Sequence, residues 1–274
     1  ECASPTGTDW GEDLLSAQAY AECKDDVDFT PPTNVLDSEG LLTPRAPDDL
    51  VPRPMPWPQQ WIDLVDDFRR ESGTRRSKIW EIFSGTAGLT KEFAADGWPI
   101  GPPIDVVIYP SYNLLDPLFL AIAVGIISEA RVLLLHLGPP CSSFSVALNS
   151  AQASAVRSWD CPSGLPELPK YKEDKVRLGN ALTEAMVVLA SAQARLGRFV
   201  QFEQPARSLM MSYPSVVAMM REFKCVAYQR DACVDGAPWR KPLLIITPTA
   251  SAGSRLSATC PAGHNHIVLL GPPP

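Results

Sequence analysis

Between residues 78 and 247, short apolar segments alternate with segments of helical period, and few architectures accept that alternation. Residues 78–83, 100–107, 131–137, 198–203, 225–230 and 243–247 read as strands, and 86–96, 117–127, 175–196 and 213–223 read as helices. Several strands are apolar throughout, which is the pattern of strands buried on both faces. The expected fold class is therefore α/β, a mainly parallel sheet with helices on both faces. A helix over 59–71 precedes the first strand, with Trp61, Ile62, Leu64, Val65 and Phe68 at helical spacing.

With 274 residues, 45% of them hydrophobic and 20% charged, the chain can bury a core; a disordered, collagenous or coiled-coil protein is excluded. The longest apolar run, 118–127, is too short to span a bilayer. Residues 1–58 carry nine of the 28 prolines and no sustained period, so they read as an acidic tail or linker ahead of a domain at 59–274. Residues 1–50 hold twelve acidic and two basic side chains, which leaves 22 basic against 19 acidic in the remainder. That mildly basic body is compatible with a nucleic acid partner. Seven widely spaced cysteines, an odd number, argue for reduced thiols in an intracellular compartment, nuclear if the chain is eukaryotic. No basic-plus-apolar leader is visible, and without an initiator Met the sequence reads as a piece of a longer chain.

Ligands of open parallel sheets sit beyond the carboxyl ends of the strands, and three polar clusters fall there. In the first, Glu81-Ile82-Phe83-Ser84-Gly85-Thr86-Ala87-Gly88, a strand feeds a glycine turn that opens a helix. Such a turn either lets the backbone approach an anionic ligand or simply joins strand to helix. Asp105, twenty residues beyond Gly85, is placed either to hold ribose hydroxyls or as a solvated loop carboxylate. In the second cluster, Gly138-Pro139-Pro140-Cys141-Ser142-Ser143-Phe144-Ser145, a Gly-Pro-Pro kink pushes one thiol out at the sheet edge, reactive or inert. In the third, Phe202-Glu203-Gln204-Pro205, a carboxylate follows an apolar strand, as a functional acid or as a helix cap.

These clusters, in this order, resemble the motifs of the cytosine-5 DNA methyltransferases. FSGTAGL is similar to that family's cofactor-binding motif, GPPCSSFS to its Pro-Cys nucleophile loop and FEQP to its Glu-Asn motif. A fourth segment, Asp235-Gly236-Ala237-Pro238-Trp239-Arg240, resembles its Tyr-Gly-Val-Pro-Gln-x-Arg stretch. The resemblance covers residues 78–247 and implies a Rossmann-like S-adenosylmethionine-dependent methyltransferase fold. It implies that Phe83, Ser84 and Gly85 line the S-adenosylmethionine pocket, with Glu81, Gly88 and Pro140 beside it and Asp105 on the ribose. Cys141 would attack carbon 6 of a flipped cytosine in DNA, Glu203 would protonate ring nitrogen 3 and Arg240 would steady the base. Gln204 replaces the family's Asn, Trp239-Arg240 is one residue tighter than Gln-x-Arg, and residues 146–171 form a longer stretch than in compact members. No target-recognition domain or closing motif is evident, so two alternatives stand beside DNA methylation: RNA (tRNA) as substrate, or a catalytically silent module binding cofactor or nucleic acid.

Outside that match, Cys260, His264 and His266 gather near the C-terminus, with Cys233 upstream. Cys and His suit tetrahedral Zn²⁺, but the spacing is not that of a standard finger, so a surface turn without metal is the expectation. His136 reads as a core histidine and Met210, Met211, Met219 and Met220 as core. Arg69, Arg70, Arg75 and Arg76 read as a solvated basic face.

Overall fold

A computed structural model describes residues 34–36, 42–44, 57–70, 77–146 and 155–267. Its centre is a five-stranded mixed sheet in the order β3-β4-β5-β7-β6: β3 (Lys78–Ile82), β4 (Val132–Leu137), β5 (Phe199–Pro205), β6 (Val226–Asp231) and β7 (Pro242–Thr247). β3, β4 and β5 pair in parallel, and β7 runs antiparallel to both β5 and β6. Four strands therefore point one way and β7 alone is reversed. Five of the six expected strands are present. The sixth, at 100–107, is reduced to parallel bridges from Ile100 to Ile79 and from Ile104 to Ile82. Its last residues instead turn back, with the N–H groups of Ile108 and Tyr109 both donating to the Asp105 carbonyl. In the segment read as an acidic tail or linker without sustained period, β1 (Asn34–Leu36) and β2 (Leu42–Pro44) form a short antiparallel ladder.

The helices are α1 (Gln59–Arg69), α2 (Gly88–Ala95), α3 (Pro117–Ser128), α4 (Lys170–Arg195), α5 (Pro214–Glu222) and the single turn α6 (Gly253–Leu256). α3 is started by Asp116, whose carboxylate accepts from the N–H groups of Leu118 and Phe119, with Pro117 at the first helical position. α2 begins two residues later than its period suggests, because Gly85 and Ala87 take left-handed φ of 53° and 56° and hold Thr86 in a turn. α4 begins five residues earlier than expected. Its first turn is polar except for the exposed Tyr171, so no apolar period marks it, yet Pro169 precedes it and Lys170 pairs with Asp174 at its start.

Register explains how the sheet is covered. Trp80, Leu135 and Val200 lie in one cross-strand row, and Ile82, Leu137, Phe202 and Ile246 in the next. All seven are at most 4% exposed. Phe68 of α1 packs edge-on against Trp80, and Trp61 of α1 stacks on Phe119 of α3, so α1 and α3 cover this face. Glu81, His136 and Gln201 form the row that points the other way, where Glu81 meets Thr90 of α2. The period-2 parity thus gives the sheet one apolar face and one face with a polar row. His136 is the expected inward histidine: Gln201 Nε2 lies 3.1 Å from its Nδ1, and burial lowers its pKa. Met210 and Met219 are buried in the core, with Met211 and Met220 packed against it. Arg69 and Arg70 are exposed; Arg75 and Arg76 lie outside the described residues.

Candidate active site

The carboxyl ends of β3 and β4 open onto a cavity of about 530 Å³. Its walls include Phe83 after β3, Ile104 and Asp105 of the degenerate strand, Pro140 and Ser142 after β4, and Leu178 and Gly179 of α4. Three residues named from the sequence, Phe83 of the first cluster, Pro140 of the second and the lone Asp105, therefore face one space. Its volume is that of a pocket for a small organic ligand or cofactor.

The turn after β3 is unusual backbone. Phe83, Gly85 and Ala87 all have positive φ, and a non-glycine residue held there costs about 1–2 kcal/mol. Asp105 braces the turn: its Oδ2 accepts from the Gly85 N–H at 2.8 Å and its Oδ1 from the Val107 N–H at 2.9 Å. Each oxygen keeps a lone pair for a hydroxyl. Ser84 is buried, and its Oγ has no hydrogen-bond partner among the described residues. Glu81 does not line the cavity. Its Oε2 accepts from the Thr90 N–H at 2.7 Å and the Thr90 hydroxyl at 2.6 Å, which fixes the start of α2. Gly88, the first residue of that helix, is exposed.

The loop carrying Cys141 is pinned at three points. Gln204 Nε2 donates to the Pro139 carbonyl at 2.9 Å, and the Leu209 N–H donates to the Phe144 carbonyl at 2.9 Å. Phe144 is fully buried, edge-on to Tyr213 and under the Arg157 guanidinium, whose carbon lies 3.7 Å from the ring centroid. Arg157 also donates to the Ser143 hydroxyl at 3.0 Å, the Val176 carbonyl at 3.0 Å and Asn180 Oδ1 at 2.7 Å. Its burial pushes the guanidinium pKa down to about 10, so it stays charged near neutrality. Between these pins, Cys141 is a free, partly exposed thiol flanked by two cavity-lining residues.

Glu203 lies on β5, one residue beyond Phe202, which pairs with the last residue of β4. That register brings Glu203 to the strand edge from which the Cys141 loop emerges, with the side-chain parity of Gln201, and Glu203 is not on the cavity wall. It caps no helix. Burial raises its pKa, and nearby Lys241 offsets part of the rise. Arg240 also reaches this edge, because β7 starts where the other strands end. Its Nε donates to Asp231 Oδ2 at 3.1 Å, so it is held beside β6, with β5 and β7 between it and the Cys141 loop.

Arg157 and Gly179 are supporting residues that the sequence did not disclose, one in an aperiodic stretch and the other inside a helix. Cys161 is disulfide-bonded, against the expectation of reduced thiols throughout; Cys141, Cys225, Cys233 and Cys260 are free. Sequence spacing could not foresee this, since pairing depends on which sulfurs the fold brings together. Cys233, Cys260, His264 and His266 do converge, their ligand atoms all within 4.8 Å of one another.

Fold and site together define an α/β domain with a ligand-sized cavity at its strand ends and a braced thiol at the rim. In comparisons with known proteins, no protein-family model matches the chain and no curated protein matches it. No described helix is long and apolar enough to cross a membrane.

Proposed function

We propose that this domain is a Rossmann-like, S-adenosylmethionine-dependent methyltransferase that acts on carbon 5 of cytosine in DNA. One observation carries this: Phe83 of the first motif, Pro140 of the second and Asp105 between them line a single cavity. The residues present fit the cofactor. The volume suits it, and Asp105, on the cavity wall, has acceptor capacity left for ribose hydroxyls. Ser84, whose Oγ is buried without a partner among the described residues, is next to the wall residue Phe83 but not on the wall itself. When bound, S-adenosylmethionine supplies an electrophilic methyl group.

The chain's own residues account for the rest. Carbon 5 of cytosine is a poor nucleophile; addition of the Cys141 thiolate at carbon 6 turns the ring into an enamine reactive at carbon 5. Negative charge then builds at ring nitrogen 3, where a proton from Glu203 neutralises it. A carboxyl whose pKa is raised by burial holds that proton nearer neutral pH than an ordinary one does. The base reaches such a pocket only by leaving the stack, at a cost of a few kcal/mol. Gln204, Phe144 and Arg157 hold the loop so that the thiol is placed before the base arrives.

DNA containing 5-fluorocytosine tests the proposal, because fluorine cannot leave carbon 5 as a proton does. The wild-type protein, given S-adenosylmethionine, should form a denaturation-resistant adduct, and Cys141→Ser should form none. The same assay on RNA decides the nucleic acid. Absence of adduct and of methyl transfer with both, from folded protein, would replace the enzyme by the silent binding module.

A further inference from the structure

The four-residue cluster at the far end of the sheet has the composition and the dimensions of a metal site. Cys233 sits in a 3₁₀ turn, Ala232–Asp235, directly after β6. Cys260, His264 and His266 come from a segment almost thirty residues later, folded back by left-handed Ala262 and Gly263. Cys260 Sγ lies 3.8 Å from His264 Nε2 and 3.6 Å from His266 Nε2. A tetrahedron with Zn–S of about 2.3 Å and Zn–N of about 2.0–2.1 Å has S···N edges of about 3.6 Å. The observed separations are thus those of ligands around a shared centre, whereas direct hydrogen bonding would not require four groups to converge.

We propose that Cys233, Cys260, His264 and His266 bind one Zn²⁺ in a closed, tetrahedral, structural site. Two thiols and two imidazoles fill all four positions and leave none for substrate. As the ion binds, both thiols release their protons to solvent, and two thiolates balance its charge. Both histidines present Nε2 to Cys260. The ligand backbone is already fastened: the Cys260 N–H donates to Asp231 Oδ2 at 2.8 Å, and the same oxygen accepts from Arg240 Nε. Around it, the Asp231 N–H donates to the Ala258 carbonyl and the Ile267 N–H to the Pro238 carbonyl. The ion would close this set covalently, stapling the segment from Ala258 to Ile267 onto the β6–β7 connection that carries Arg240. This inference is independent of the methyl-transfer reading.

The full chain, purified without chelator from zinc-supplemented medium, should carry about one zinc per molecule, and Cys141→Ser should carry the same. Replacement by Co²⁺ should give the visible d–d absorption of a tetrahedral site together with thiolate-to-cobalt charge-transfer bands. Cys260→Ser and His266→Ala should each lose most of the bound metal. The cobalt spectrum of the wild type decides the matter even if those variants fold poorly. Wild-type protein with neither zinc nor a tetrahedral cobalt spectrum overturns the proposal, whether Cys233 and Cys260 are then found as free thiols or as a disulfide. Full metal retention by both variants overturns the ligand set.

Discussion

Gln204 Nε2 donates to the Pro139 carbonyl at 2.9 Å, so a side chain on β5 holds the backbone two residues before Cys141. The Gln204 amide oxygen accepts in turn from the Ser208 hydroxyl at 2.8 Å, and all of this polar chain is buried. Gln204→Leu should therefore leave the buried Pro139 carbonyl without its Gln204 donor and the Ser208 hydroxyl proton without an acceptor, although Ser208 Oγ still accepts from the Met210 N–H, at a cost of about 1–3 kcal/mol. Urea denaturation should show the loss, and adduct formation should fall more than stability alone explains. Unchanged adduct formation in a folded variant would show that the brace does not position the thiol.

Two glycines in helices should respond in opposite directions to alanine. A Cβ on Gly179 would lie 2.3 Å from Ser143 Oγ and 2.9 Å from an Arg157 nitrogen, with Phe144 of the Cys141 loop 3.4 Å away. Gly179→Ala should destabilise by about 1–3 kcal/mol and displace the loop. At Gly125 in α3 a Cβ meets nothing within 4 Å, so Gly125→Ala should stabilise by about 0.5–1 kcal/mol. Equal denaturation midpoints for the two variants would contradict this packing.

Gly85 has open space around its Cβ position but a φ of +53°, so Gly85→Val is strained by its backbone rather than by crowding. The variant should lose S-adenosylmethionine binding by calorimetry, because the turn and its bond to Asp105 would rearrange. Asp105→Ala should weaken binding as well, through the ribose and the turn together. Wild-type affinity in both would move the cofactor elsewhere.

Glu203 gives a pH dependence whose sign is fixed. Its folded-state pKa lies above the ordinary 4.5, so the folded protein binds the proton more tightly than the unfolded chain. The associated stability is present in full below 4.5 and is lost as pH rises through the folded value. Glu203→Gln should therefore gain stability relative to wild type near neutral pH and lose that advantage in acid, while methylation falls by about a hundredfold or more. Denaturation curves at both pH values test the first half. A variant equally displaced at both would remove burial as the cause.

Strand positions were legible because Ile79–Ile82, Val132–Leu135 and Leu243–Ile246 are dense in apolar side chains, and burial selects for that directly. The segment at 100–107 misled for the opposite reason: Pro102 and Pro103 remove donors, and only two bridges form. Cys141, Glu203 and Asp105 could be singled out because each stands at or beyond the end of an apolar run in the sequence. Arg157 could not, since nothing in an aperiodic stretch signals that a guanidinium will be buried over Phe144. The Cys233–His266 cluster was visible only as residue types; its geometry depends on β7 returning antiparallel, which no local pattern encodes.

The cavity walls are contributed by segments near residues 83, 104–115, 140–142 and 175–182, so no contiguous stretch of chain owns the site. Any occupant would bind the assembled sheet and none of its unfolded forms. Occupancy should then be readable as heat resistance of the whole domain, with saturation at a hundred times the dissociation constant adding about 2.7 kcal/mol. A melting-temperature screen of nucleosides, sulfonium compounds and their demethylated products would thus rank ligands before any reaction is assayed.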